Sequence, residues 1–112
     1  MIVVSSKIAG WLLPRRYSAK CIWPFVLVRK GIHSQDKLAL LNHERIHARQ
    51  QLEMLLVGFF LWYGVEYLVR LLWLHHHDKA YQSISFEKEA FTNDQNSDYL
   101  KKRKPFSWMA YL

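Results

Sequence analysis

The chain has one cysteine, three prolines and four glycines in 112 residues. A lone thiol cannot close an internal disulfide, so nothing in the fold depends on an oxidising compartment, and Cys21 reads as a small buried hydrophobe. Acid is also scarce: nine Asp and Glu stand against sixteen Lys and Arg, a formal charge of +7. That excess suits nucleic acid or an anionic membrane surface and does not choose between them. The stretch MIVVSSKIAGWLLPRR puts apolar residues ahead of basic ones and has no seven-residue apolar run. This is the reverse of a secretory signal, so the expected location is cytoplasmic, free or at the inner membrane. There are no internal repeats and no low-complexity tract.

What is abundant is apolar surface. A composition 51% hydrophobic and 15% aromatic indicates a single domain over residues 1–112 and excludes a disordered tail or a multidomain enzyme. Only about two-thirds of the unfolded surface is buried at this size, so a bound metal or a partner would help hold the core.

Residues 2–4, 8–13 and 21–28 read as β segments, separated by Ser5, Gly10 and Pro14; Pro24 marks the third as an edge strand or bulge. The pair Lys30-Gly31 closes this part, and Ser34 with Asp36 suits a helix start. Residues 38–74 contain no proline and read as helix, continuous or hinged at Gly58 or Gly64. Within it, residues 54–65 are twelve in a row without a charge, and Glu66 and Arg70, four apart, are positioned to pair. The segment 54–74 would measure about 31 Å as helix. It is either the central helix of a small core or a means of membrane association. A loop is expected over 75–83, a short helix over 86–93, and a basic run Lys101 to Lys104 that reads as a solvated patch. Phe106, Trp108, Tyr111 and Leu112 are expected to pack back on the core.

Chemistry enters with His43-Glu44-Arg45-Ile46-His47, an HExxH within the long helix. Four residues of helix turn about 400°, so the imidazoles stack on one face and can share one Zn²⁺. Glu44, about 100° round from His43, stands clear of the ion yet beside the water it activates, as a general base would. A catalytic zinc needs a third protein ligand. The extended form HExxHxxGxxH is absent, because Gln50 and Glu53 occupy the glycine and third-histidine places. Glu87 and Glu89 are the remaining candidates. With Phe86 at 0°, Glu87 falls at about 100° between Ala90 and Phe91, whereas Glu89 falls at about 300°, outside that apolar arc. Glu87 is therefore expected to face inward, where a dication would compensate its charge.

HERIH on one helix followed by FEKEA on another resembles the gluzincin branch of zinc metallopeptidases, small and possibly membrane-associated in type, across about a tenth of the chain. The resemblance implies an α+β, zincin-like fold in which a short N-terminal β segment packs on the active-site helix, with a second helix bearing the glutamate. It implies His43, His47 and Glu87 as zinc ligands and Glu44 as catalytic base. Phe91 stands where such families often carry an acid or amide that orients a ligating histidine, so Asn93 or Asp94 must take that part. The expected substrate is a peptide or protein, laid along the edge of segment 21–28. Tyr81 and His75 to His77 are candidate transition-state donors. The rival reading is a catalytically inactive, metal-binding, membrane-associated interaction module. Nucleic-acid binding rests on charge alone and is not expected.

Overall fold

The computed structural model describes residues 2–4, 19–29 and 34–112, the side chains of 34–36 excepted. The expected strand at 8–13, the Lys30-Gly31 turn, the capping side chains of Ser34 and Asp36 and most of the amino-terminal stretch lie outside the described residues; the helix does begin at Ser34.

Strands β1 (Ile2–Val4), β2 (Ala19–Ile22) and β3 (Phe25–Val28) form one sheet in the order β1-β3-β2. β1 runs parallel to β3, and β2 antiparallel to it. Segment 21–28 is thus not one strand but the core of a hairpin that reverses at Trp23-Pro24. Proline sits in the turn, where its missing N–H interrupts no ladder. Side chains alternate as a half-buried sheet requires: Ala19, Cys21, Val26 and Val28 are buried, while Lys20, Ile22 and Phe25 are exposed. The buried face meets Ala48, Leu40 and Leu41 of helix α1 (Ser34–Glu53).

The long helix is in fact two, and neither glycine is the hinge. α1 ends at Glu53 and α2 spans Val57–Leu74, with Gly58 and Gly64 inside α2. The corner lies at Leu55 and Leu56, whose φ angles are 55° and 62°. That left-handed region costs an L-residue about 1–2 kcal/mol. The Leu56 N–H donates to the Gln51 carbonyl at 2.6 Å and the Met54 N–H to that of Gln50 at 3.0 Å. These backbone hydrogen bonds close the corner, and no Gly, Pro or Asn announces it.

Three short helices follow: α3 (His77–Ser83), α4 (Ser85–Asn93) and α5 (Tyr99–Lys102), then a 3-10 turn, Ser107–Tyr111. The expected loop at 75–83 is helical from His77 because the histidines build its entry. His75 ends α2 in the left-handed region, donating its N–H to Leu71 at 2.8 Å, and the His76 ring accepts the Lys79 N–H at 3.3 Å. His77 pairs with the Tyr67 hydroxyl at 2.6 Å.

A second core gathers Phe59, Ile84, Phe86 and Trp108, flanked by Met54, Tyr63 and Tyr67. Of the four C-terminal apolar residues expected to pack inward, only Trp108 is buried; Phe106 and Leu112 remain exposed and Tyr111 is half-buried. α2 is not a central helix either, since Phe59 and Glu66 are its only buried residues. Glu66 is not committed to Arg70: its carboxylate takes the Ser85 N–H at 2.8 Å, the Ser85 hydroxyl, and the Trp62 indole N–H at 2.9 Å. It thereby caps α4 from a neighbouring helix. The architecture is mixed α+β.

Candidate metal centre

His43 and His47 lie one turn apart on α1, and α4 packs across α1 to bring Glu87 to them. His43 Nε2 and His47 Nε2 are 3.2 Å apart; Glu87 Oε1 lies 3.1 Å from the first and 2.9 Å from the second. All three residues are buried.

The far sides of the rings decide what these near sides carry. His43 Nδ1 faces Asp94 Oδ2 at 3.1 Å, and His47 Nδ1 faces Gln50 Oε1 at 2.7 Å. The Gln50 amide is oriented by its other end, which donates to the Phe86 carbonyl at 3.1 Å and to Glu89 Oε1 at 3.0 Å. Both Nδ1 atoms therefore meet acceptors and carry the proton in the neutral rings, leaving two Nε2 lone pairs and a carboxylate oxygen aimed at one point. Three electron-pair donors cannot satisfy one another; a proton or a cation must sit among them. Without a metal the charges show the same demand. Burial on its own would lower His47, but the Glu87 charge overrides it and raises the ring to about 9. Burial would raise Glu87, yet His47 and His43 hold it well below the usual carboxylate range. A tetrahedral zinc with bonds of about 2.0–2.1 Å separates its ligand atoms by about 3.3 Å, close to the triangle found here.

The remaining polar atoms hold these three side chains in place. Glu87 Oε2 accepts the Tyr63 hydroxyl at 2.6 Å. The Asn42 amide donates to the Asp94 and Asn96 carbonyls, each at 2.9 Å, pinning the turn that presents Asp94 to His43. Of the two residues expected to orient a histidine, Asp94 does so, whereas Asn93 is engaged by the Glu89 carbonyl and the Tyr111 hydroxyl. Phe91 packs edge-on against the His43 ring, centroids 4.5 Å apart.

Glu89 corrects the helical-angle argument. It is not outside but 0% exposed, bonded by Arg103 through Nε and through Nη2 at 3.0 Å, and by the Tyr99 hydroxyl at 2.6 Å. Arg103 also holds Glu53 at 2.8 and 2.9 Å. Burial would raise the Glu89 carboxyl; the bonds from Arg103, Tyr99 and Gln50 keep it low. Within the solvated run Lys101 to Lys104, Arg103 is the buried exception.

Beside the histidines opens a cavity of about 160 Å³. Glu44, His47 and Glu87 form its polar wall; Cys21 of β2 and Phe59, Phe60 and Tyr63 of α2 form much of the rest. Tyr81 also lines it, whereas His75 and His76 are exposed at the joint between α2 and α3. Burial lifts the Glu44 carboxyl above its ordinary range, with His47 and His43 opposing the rise. Burial likewise pushes the Cys21 thiol up to about 12, with Glu44 adding to it. The Gln51 amide fixes the β2 wall to α1, donating to the Cys21 carbonyl at 2.8 Å and accepting the Trp23 N–H at 2.7 Å.

No protein-family model, curated protein or solved structure matches this chain. The reading of the site therefore rests on its own geometry. Sequence reasoning missed Tyr63, Asn42, Gln50 and Gln51. For the two glutamines a signal existed, since they follow His47 by three and four residues on the same helix.

Proposed function

We propose that the chain is a zinc-dependent peptide hydrolase with a zincin-like site, in which His43, His47 and Glu87 would hold the ion. The observation that carries this reading is the convergence of two imidazole lone pairs and a carboxylate oxygen, all within 4.8 Å of one another. When bound, the dication would supply Lewis acidity, polarising a carbonyl and bringing the pKa of water toward neutrality.

The rest is done by the chain. Glu44 borders the cavity, buried enough for its basicity to exceed that of a free carboxylate. It takes the proton from the attacking water and delivers it to the leaving amine. Asp94 and Gln50 fix the tautomers of the two rings, and Tyr63 fixes the rotation of Glu87. β2 lines the cavity through Ala19, Lys20 and Cys21. Among the described residues it is an edge strand, able to receive an extended peptide by strand addition. The aromatic wall from α2 limits water around the scissile bond. A base at the cavity wall favours hydrolysis over the inactive-module reading.

The test is Glu44→Gln in the zinc-loaded protein, assayed on a mixed fluorogenic peptide library. Both proteins should carry about one zinc per chain, while hydrolysis falls by about 10²–10⁴-fold. Unchanged turnover in the variant removes Glu44 from the reaction.

A further inference from the structure

α2 is built inside out for a helix in water. At about 100° per residue, Phe59, Tyr63, Glu66, Tyr67 and Arg70 fall on one side, between about 180° and 280° from Val57. These include every strongly polar side chain of the helix, and Phe59 and Glu66 are its two buried residues. The opposite arc, about 160° wide, carries Val57, Leu61, Val65, Leu68 and Leu72, with Trp62, Val69 and Trp73 toward its margin. All eight are exposed, Leu72 at 73% and Trp73 at 81%. No charge or hydrogen-bonding group other than indole N–H interrupts this face over 18 residues, about 27 Å. Water-exposed helices place polar residues outward, and a contiguous apolar face of this size marks an interaction surface.

We infer that α2 docks in the plane of an anionic bilayer surface, its Val/Leu/Trp arc entering the headgroup and acyl boundary. Width favours lipid over a second copy, because helix pairing covers a narrow seam and leaves much of a 160° arc in water. The neighbouring C-terminal turn continues the surface: Trp108 packs on Trp62 with centroids 5.8 Å apart, and the adjoining Met109 and Leu112 are exposed. Exposed Lys101, Lys102 and Lys104, within a chain of charge +7, supply the attraction to anionic headgroups. By length and composition α2 could cross a membrane. Its polar side is nevertheless bonded to α3 and α4, Tyr67 to His77 and Glu66 to Ser85, so spanning would drag those two helices into hydrocarbon. In-plane docking leaves them in water. It also places the cavity, whose wall includes Phe60 and Tyr63 of α2, close to the lipid surface.

The experiment is co-sedimentation of the full chain with vesicles of phosphatidylcholine and phosphatidylglycerol, followed by tryptophan quenching with brominated lipids. Binding is expected, with quenching strongest when bromine sits near the headgroup end of the acyl chain. Leu61→Glu and Leu72→Glu should each weaken partitioning by about tenfold or more, with circular dichroism and zinc content unchanged. Wild-type binding by both variants, or a chain that stays in the supernatant, overturns the inference. So does a dimer that ignores vesicles and becomes monomeric on Leu61→Glu, which would assign the face to a second copy. Strongest quenching at the bilayer centre overturns the in-plane orientation. None of these readouts depends on hydrolysis, so docking and catalysis can fail separately.

Discussion

Glu87 and Glu89 stand two residues apart on α4, both buried, and their surroundings could hardly differ more. Glu89 is met by a guanidinium, a phenol and an amide, all donors aimed at its two oxygens. Glu87 has one donor, Tyr63, on one oxygen, while the other oxygen faces two ring nitrogens whose protons are held on their far sides. The first carboxylate is complete within the protein; the second needs a proton or a cation between it and the rings. What separates the two carboxylates is therefore the kind of partner each one faces, not burial itself.

The contrast breaks most sharply at Arg103. Arg103→Met leaves Glu89 and Glu53 without their cation and should cost about 3–5 kcal/mol in urea unfolding. A loss under about 1 kcal/mol would show that the network is not essential to the fold. Glu87→Gln should do the opposite, lowering zinc affinity by more than any change at Glu89 that leaves the protein folded, while moving the urea midpoint of the metal-free protein far less than Arg103→Met does. Competition with a chromogenic chelator measures the first, and zinc retained at wild-type affinity would exclude Glu87 as a ligand. A smaller effect is expected from Asp94→Ala, which removes the acceptor for His43 Nδ1 and should weaken zinc by about 10–100-fold; calorimetric titration distinguishes this from no change. The mildest test concerns the cavity wall. With its thiol pushed to about 12 by burial, Cys21 should resist iodoacetamide at pH 8 in the native protein and react readily in urea. Equal rates would place β2 away from α1.

How much of this was legible in the sequence follows from which interactions are local. The HExxH spacing fixes two rings on one face by helix geometry alone, and the apolar bracket around Glu87 was enough to turn it inward. The same bracket failed for Glu89 because it considered one core face, whereas α4 is covered on a second side by Arg103, fourteen residues later. A lysine-rich run hides that arginine, since only tertiary contact separates a buried guanidinium from its solvated neighbours. The break at Leu55-Leu56 was invisible for a related reason: leucine carries no turn preference, so nothing local marks the left-handed residues. Segment 21–28 was readable as β, but the reversal at Trp23-Pro24 was not, because proline also fits an edge strand. Hydrophobicity read without its direction left α2 open between a core helix and a membrane-associated one; Tyr63, Glu66 and Tyr67 face the protein, and the exposed leucines do not.

From Asn42 to Gln51, a single stretch of α1 supplies both imidazoles, the buried carboxyl of Glu44, the amide behind one ring, the amide fastening the cavity wall, and the clamp on the Asp94 turn. All their mutual spacings descend from the pitch of one rigid rod rather than from several loops settling independently. An insertion of one residue between His43 and His47 would swing everything downstream by about 100° and dismantle all these relationships together. Evolution can vary the edges of such a centre piecemeal, but it can shift the rod only as a whole.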